Sequence, residues 1–275
     1  MAYALEDEFG DIIGKAKRGQ GISTSQLAAQ VDITEAQLAQ MENYTRKPTE
    51  AQVYKIATAL NLDGPKLLDI AMERWTPAPV EAGYDNALDT VTVTALVGGW
   101  PVNAYILVCK ETNEAAIIDT AAHPQLILEK VKQIGVKPTI ILLTHAHGDH
   151  ANGLPELENA TGCPTYIHAN EPKPQSSQQF NLLKHGGEVS LGKLTVKALD
   201  TPGHTPGGCS FLTRSTAFVG DAIFAGSVGG PNISYEAELT TVQDNLLSLP
   251  DDVKLFPGHG PATTVGEEKA HNPFF

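Results

Sequence analysis

The sequence predicts an α/β protein with a small all-α domain in front of it, because the pattern of apolar residues changes once along the chain. The chain has 275 residues and is 41% hydrophobic, enough to bury a sizeable core. Before residue 74 the apolar residues recur at helical spacing, and after residue 90 short β-rich runs alternate with helical segments. Between them, Pro77, Pro79 and Gly83 interrupt any periodicity. We therefore expect a helical domain at 1–73, a linker at 74–90 and an α/β domain at 91–275.

The composition narrows the classes of function. A formal net charge of -13 and an isoelectric point near 5.0 disfavour wholesale binding to nucleic acid or to a membrane surface. No apolar run reaches the roughly 18 residues that a membrane helix needs. Cys109, Cys163 and Cys209 are scattered and odd in number, which is typical of a reducing compartment. We expect a cytoplasmic protein that makes no membrane contact.

The first 73 residues predict several short helices. Ser23, Thr34 and Thr49 each precede an apolar-periodic segment and can cap the helix that follows. The helix after Thr34 begins two or three residues after its predecessor ends, which is helix-turn-helix spacing. The segment from Gly21 to Leu62 is similar to the Cro/C1 (XRE) type of helix-turn-helix domain. That resemblance implies a major-groove helix from Thr34 to Asn43. The DNA contacts predicted on it are Thr34, Gln37 and Gln40.

The charge of this domain fits DNA binding poorly. Residues 1–75 hold eight Lys or Arg and eleven Asp or Glu, so their net charge is 8 − 11 = −3. Phosphate contacts need a positive face, whereas the helix from Thr34 to Asn43 carries Glu35 and Glu42 and no base. Two roles stay open for the domain: DNA binding, or contact with protein, including formation of a homodimer.

The second part of the chain predicts a mixture of strands and helices. Strand-like runs are Thr90–Val97, Ala104–Val108, Ala115–Ile118, Thr139–Leu143, Thr165–Ile167, Leu194–Leu199, Cys209–Thr213, Ala217–Val219 and Lys254–Phe256. Helices are expected at Leu126–Ile134, from near Asn152, and at Glu236–Leu249. The polar stretch Glu171–Lys184 is expected to be a surface loop or short helix that covers the site.

Four candidate metal ligands lie within six positions, directly after the apolar run Ile140–Leu143. They are His145, His147, Asp149 and His150. Polar groups at the end of a buried strand are costly to desolvate unless a cation compensates them. His204, Asp221 and His259 also follow predicted strands, in turns rich in Gly or Pro. The ends of strands can converge on one sheet edge, so the pattern predicts a metal centre there.

These motifs, in their order along the chain, resemble the metallo-β-lactamase superfamily. The resemblance runs from about Val91 to the C-terminus, through His-x-His-x-Asp-His, Pro-Gly-His, Gly-Asp and a second Pro-Gly-His. It implies an αββα sandwich of two mixed sheets flanked by helices. The ligands that it implies are His145, His147 and His204 for one metal, Asp149, His150 and His259 for a second, and Asp221 as the bridge between them.

Within that superfamily the closer resemblance is to the glyoxalase II group, the hydroxyacylglutathione hydrolases. The segment Gly220–Gly229 and the ending Gly258–Phe275 resemble its short bacterial members. This implies hydrolysis of a thioester. Phe211 stands where a tyrosine would supply a hydroxyl, and Gly230 where many members carry Arg. The predicted substrate contacts are His168 and Phe211.

The resemblance also implies two Zn²⁺ ions as cofactors. Their charge, less that of Asp149, Asp221 and a bridging hydroxide, leaves about +1 at the site. Such a site can hold a hydroxide near neutral pH and stabilise the oxyanion formed when it attacks a carbonyl. Asp149 and Asp221 are therefore the predicted catalytic residues. A thiolate leaving group, with a thiol pKa of about 8.5, needs little help from a general acid, which favours thioesters over amides.

Two other functions stay open. Persulfide dioxygenases of the same superfamily use one Fe²⁺ on the equivalents of His145, His204 and Asp221, a two-His-one-carboxylate set that suits iron. The presence of all seven ligands favours a dinuclear site over this one. Alternatively, the chain is a transcriptional regulator whose metal-containing domain senses a ligand for an operator-binding domain. The shortage of bases on the predicted recognition helix disfavours the regulator.

We predict that the intact protein binds DNA only at low ionic strength, if at all, because it has few bases with which to displace counterions. In a mobility-shift titration, any complex should be lost between about 50 and 200 mM salt. A shifted band that persists at the higher salt would contradict this.

Overall fold

Five helices form the N-terminal module (residues 5–73) in the computed structural model, which describes residues 5–81 and 83–275. The helices α1 to α5 span Phe9–Gly19, Thr24–Gln30, Glu35–Glu42, Glu50–Ala59 and Gly64–Ala71. Ser23, Thr34 and Thr49 each accept a hydrogen bond from the backbone N–H three residues on, as the sequence predicts. Among the described residues, no helix has both the length and the apolar character to cross a bilayer.

Two six-stranded mixed sheets follow. Strands β1 to β6 form the first sheet in chain order and span Leu88–Val97, Trp100–Cys109, Glu114–Ile118, Lys137–Leu142, Thr165–His168 and Asn181–Leu183. Strands β7 to β10 span Glu188–Leu191, Leu194–Asp200, Cys209–Thr213 and Thr216–Gly220. A small hairpin follows, with β11 at Ile223–Phe224 and β12 at Ser227–Val228. With β13 (Lys254–Pro257) and β14 (Thr263–Thr264), the second sheet has the order β14-β13-β10-β9-β8-β7.

Helices cover the outer face of each sheet. The remaining helices, α6 to α10, span Pro124–Ile134, Gly148–Ala151, Leu154–Thr161, Tyr235–Asn245 and Val265–His271. Apolar residues of α6 and α8 pack on the first sheet, and those of α9 and α10 pack on the second. A separate apolar core fills the space between the sheets. The predicted αββα sandwich behind a small helical domain is therefore confirmed.

Several element boundaries differ from those predicted. Strand β1 begins at Leu88, inside the predicted linker, because Leu88 pairs with Cys109 of β2. The helix expected from near Asn152 is α8, which begins at Leu154, just after the left-handed Gly153 with φ 83°. The stretch Glu171–Lys184 contains strand β6 and is not only a loop.

The N-terminal module shares its apolar core with the sandwich. Val228 and Phe274, both from the second domain, are buried in the same cluster as the helices of the module. Trp75 stacks on His271 with ring centroids 4.8 Å apart. The backbone N–H of Asp63 donates to Pro273 O at 2.8 Å. The module is thus packed against the sandwich by side chains and by backbone hydrogen bonds.

Glu238 of α9 is a buried carboxyl at this junction. It is fully buried, and neither carboxyl oxygen has a hydrogen-bond partner among the described residues. The side chain packs against the backbone of Gly203, where a Cβ would lie 2.2 Å from that of Glu238. Burial raises the pKa of Glu238 to about 8, against a lowering by Lys15. The folded protein therefore retains this proton at a pH where the unfolded chain has lost it.

We predict that Glu238→Gln stabilises the metal-free protein in mild alkali. The unfolded carboxyl ionises near pH 4.5 and the folded one near pH 8, so the free energy of unfolding falls as pH rises through this interval. A neutral Gln removes that loss, and we expect a gain on the order of 1–3 kcal/mol at about pH 9. Urea unfolding at about pH 5 and pH 9 measures it, with the exposed Glu236→Gln as control. An equal effect of Glu238→Gln at both pH values would contradict this assignment.

Candidate metal centre

All seven predicted ligands meet at one edge of the sandwich, where four strands end. Strand β4 leads into the loop of His145 and into the short helix α7, and β8 leads into the turn of His204. Strands β10 and β13 run parallel side by side; β10 ends directly before Asp221, and β13 ends two residues before His259. Residues far apart in the chain are thereby brought together, as the sequence predicts.

One group of three imidazoles forms the first ligand set, His145, His147 and His204. Each offers a ring nitrogen within 4.8 Å of the other two. His147 Nδ1 lies 2.9 Å from His204 Nε2. Asp221 Oδ2 is 3.4 Å from His204 Nε2 and 3.9 Å from His145 Nε2. The carboxylate therefore faces this set from one side.

A second ligand set consists of Asp149, His150 and His259. The Nε2 atoms of His150 and His259 are 3.4 Å apart, and Asp149 Oδ2 is 3.4 Å from His259 Nε2. Asp221 faces this set too, with Oδ1 3.3 Å from His150 Nε2 and Oδ2 3.5 Å from His259 Nε2. Asp221 is thus the carboxylate that faces both sets, which is the arrangement that a bridging ligand requires.

Four of the five histidines donate through Nδ1 to an oxygen of the protein. These donations run from His145 to Thr144 Oγ1 (3.0 Å), from His150 to Asp119 Oδ2 (2.9 Å), from His204 to Gly230 O (2.9 Å) and from His259 to Pro101 O (2.8 Å). An imidazole that donates from one nitrogen presents a lone pair at the other. Their Nε2 atoms, together with Nδ1 of His147, are thus available to a metal ion.

The site has donor atoms that the protein itself leaves unpaired. His145 Nε2 and Asp221 Oδ1 are buried and lack a well-directed hydrogen bond within the described part of the chain. Imidazole nitrogens that approach within 2.9 and 3.4 Å repel each other unless a proton or a cation lies between them. Imidazole and carboxylate are the ligands that zinc and iron accept. The residues therefore fit the two metal ions that the resemblance implies.

The carboxylates of the site are ionised. Burial raises the pKa of Asp149, but a hydrogen bond to His259 and the charge of His150 lower it to about 2. Burial likewise raises the pKa of Asp221, and His150 holds it well below its usual range. Burial lowers the pKa of His150, whereas Asp221 and Asp119 raise it to about 10. A cation that binds would thus displace a proton from His150.

Two buried carboxylates that the sequence analysis missed hold the ligand loops in place. Asp119 accepts hydrogen bonds from Thr144 N (2.8 Å), Thr144 Oγ1 (2.7 Å) and His150 Nδ1 (2.9 Å). Glu171 accepts from Ala146 N (2.9 Å) and Gly207 N (2.8 Å), which ties the His145 loop to the His204 turn. Asp119 directly follows β3, so the rule of polar residues at strand ends could have found it. No comparable signal marks Glu171.

Gly220 and Gly258 lie beside the ligand cluster, where neighbouring side chains fill the space that a Cβ atom would need. A Cβ on Gly258 would lie 2.3 Å from Asp221 Oδ1 and 2.5 Å from His150 Cε1. Gly220, which is left-handed with φ 50°, would place a Cβ 2.5 Å from Thr144 Oγ1. These glycines let the ends of β10 and β13 approach the ligands closely.

Both predicted substrate contacts are buried. His168, at the end of β5, is buried and its Nε2 is 3.2 Å from Asp200 Oδ1. Phe211 is fully buried in the core between the two sheets, among residues such as Phe218. The core position of Phe211 gives it a packing role, and His168 pairs with a carboxylate of the protein.

The predicted DNA contacts lie on α3 and just before it. Thr34 Oγ1 accepts from Gln37 N at 3.1 Å, and Gln37 Oε1 accepts from Thr34 N at 3.0 Å. Both side chains therefore cap the helix. Gln40 is exposed.

Comparison with known proteins assigns both domains. Residues 97–259 match the metallo-beta-lactamase superfamily, and residues 14–67 match the helix-turn-helix family HTH_3. The chain is 32% identical over 200 residues to the probable metallo-hydrolase YqgX of Bacillus subtilis, covering 65% of this chain and 94% of that protein. It is 30% identical over 201 residues to the hydroxyacylglutathione hydrolase GloC of Haemophilus influenzae, covering 63% and 95%.

A solved structure shows the same fold. The crystal structure of TTHA1623 in a di-iron-bound form superimposes with a TM-score of 0.58 at 31% identity, covering 66% of this chain and 100% of that one. The chain belongs to the metallo-β-lactamase superfamily and carries an N-terminal helix-turn-helix domain of the XRE type.

We predict that Asp119→Asn weakens zinc binding by about 10- to 100-fold. The side-chain amide has one oxygen and cannot accept all three hydrogen bonds, from Thr144 N, Thr144 Oγ1 and His150 Nδ1, by which Asp119 orients these residues. Competition with a chromogenic chelator measures the affinity, and the thermal midpoint of the metal-free protein reports any loss of folding. The exposed Asp244→Asn is the control. Unchanged zinc affinity in folded Asp119→Asn protein would show that this contact does not position a ligand.

Proposed function

We propose that this chain is a metal-dependent hydrolase of thioesters, with two divalent cations, most simply Zn²⁺, held by the seven ligands. The observation that carries the proposal is the pair of adjoining ligand sets that share Asp221. When bound, the metals would lower the pKa of a water molecule toward neutrality and polarise a carbonyl group.

The residues of the chain supply charge and orientation to this chemistry. Asp149 and Asp221 stay ionised at neutral pH and, as ligands, reduce the charge of two cations without cancelling it. The imidazoles are held by Nδ1 donation to fixed oxygens, so their Nε2 atoms need little rearrangement to bind. Asp119 and Glu171 hold the loops that carry these histidines in place, by accepting hydrogen bonds from the loop backbone.

The thioester class is supported by the nature of the leaving group and by similarity to GloC. The ligand motifs bring no separate general acid, and a thiolate leaves readily without one. Glutathione itself is less well supported as the carrier. Gly230 has no side chain with which to hold an anion, and its carbonyl instead accepts from His204. Phe211 is buried in the core.

A mononuclear iron dioxygenase acting on persulfides is the second candidate. It is favoured by the closeness of His145, His204 and Asp221, a two-His-one-carboxylate set. A site with one iron would leave the second ligand set, Asp149, His150 and His259, without a metal ion to bind. We therefore prefer the hydrolase.

We propose that the main role of the N-terminal module is to pack against the sandwich, and that DNA binding is secondary. Four of the seven bases in residues 5–73 are engaged within the protein, which leaves few of them for phosphates. The partners are Asp7 for Lys15, Glu42 for Lys17, Glu73 for Lys47 and the carbonyl of Phe275 for Lys66. This supports the expectation that DNA binding, where present, is weak and sensitive to salt.

We predict about two zinc ions per chain in protein purified without added metal, and faster cleavage of thioesters than of matched amides. Elemental mass spectrometry and a paired panel of acyl thioesters and amides measure these quantities. Replacing Asp221 with Asn should abolish turnover, because both ligand sets lose their shared carboxylate. One iron per chain with oxygen uptake on persulfides would favour the dioxygenase, and equal rates on amides would refute the preference for thioesters.

A further inference from the structure

The N-terminal module brings a carboxylate to the edge of the metal centre. Glu6 lies in the segment before α1, and its Oε1 is 4.0 Å from Nδ1 of His259. Glu6 also packs on Gly260, the residue after His259. A Cβ on Gly260 would lie 3.0 Å from the Cβ of Glu6 and 3.1 Å from the backbone nitrogen of Glu6. The side chains of Glu6 and His259 are only 20% and 11% exposed. Water therefore screens this pair weakly.

A lysine of α1 fixes the segment that carries Glu6. Lys15 forms an ion pair with Asp7, the next residue, and both side chains are largely buried. Lys15 Nζ also donates to Val228 O at 2.7 Å and lies 4.7 Å from the centre of the Phe224 ring. That ring is in turn 5.7 Å from the ring of His259. The module is thus anchored on the β11–β12 hairpin, directly beside the second ligand set.

The geometry limits what Glu6 can do. Nδ1 of His259 already donates to Pro101 O at 2.8 Å, so Glu6 at 4.0 Å acts as a negative charge and not as the main hydrogen-bond acceptor. A negative charge on the far side of an imidazole makes its other nitrogen a better donor to a cation. Besides His259, the charges that act on Glu6 are those of Asp7, Lys15 and Asp221.

We propose that Glu6 is a positioning residue of the metal centre, supplied by the N-terminal module, that strengthens cation binding at the second ligand set. The module is then a structural part of the centre. This rests on the proposed function only in requiring that the seven ligands bind two metal ions, and it is independent of the substrate.

The test is stepwise binding of Zn²⁺ to the full-length, metal-stripped protein, measured by competition with a chromogenic chelator. In Glu6→Gln we expect one of the two dissociation constants to rise about three- to tenfold while the other stays within about twofold. The thermal midpoint of the metal-free variant should equal that of the wild type. Glu35→Gln, an exposed change of the same charge on α3, should leave both constants unaltered.

A second variant tests the anchor. Lys15→Met keeps an apolar stem over Phe224 but loses the contacts to Asp7 and Val228, so it should reproduce the selective loss of one zinc affinity. Turnover of Glu6→Gln at saturating zinc should return to within about twofold of the wild type, because a positioning residue acts through metal affinity.

Three results would overturn the inference. They are two unchanged zinc constants in Glu6→Gln, an equal weakening of both constants with a lowered thermal midpoint, and a loss of turnover that saturating zinc does not restore. A wild-type protein that binds fewer than two zinc ions would instead refute the two-metal proposal. The two failures are therefore distinguishable.

Discussion

The structure depends on one buried carboxylate that faces imidazoles on both sides. Asp221 is ionised and within 3.3 to 3.9 Å of four histidines from three separate loops. A charge in that position is tolerated only because positive charge, from protons or from cations, surrounds it. The four strand ends place the histidines around Asp221. Gly220 and Gly258 leave room for them to approach the carboxylate closely.

Around this centre lies a ring of oxygens that belongs to the scaffold. Backbone carbonyls of Pro101 and Gly230 and the side chains of Asp119 and Thr144 each accept from an imidazole. Because most of these acceptors sit on strands or on turns next to strands, the orientation of the rings derives from the sheets. The sandwich thus determines which nitrogen of each histidine is free, and the ligands do not have to organise themselves around a metal.

The ligands could be predicted from the sequence because each lies within a few residues of the end of an apolar run, and the ends of these strands share an edge. Asp119 obeys the same rule but stands alone, without a neighbouring histidine to draw notice. The burial of Phe211 could not be predicted, because β9 is covered on both faces, so burial along it does not alternate and the direction of one side chain cannot be inferred. Glu171 and Glu6 act through contacts between distant segments, which periodicity does not record.

The shared core has a consequence for how the molecule unfolds. Val228 and Phe274 are buried by helices of the N-terminal module, and His271 is stacked on the linker residue Trp75. Cutting the chain at the boundary that composition suggests would expose apolar surface on both fragments. The two domains that the sequence predicts therefore share buried apolar surface, and we expect them to unfold together in one cooperative transition.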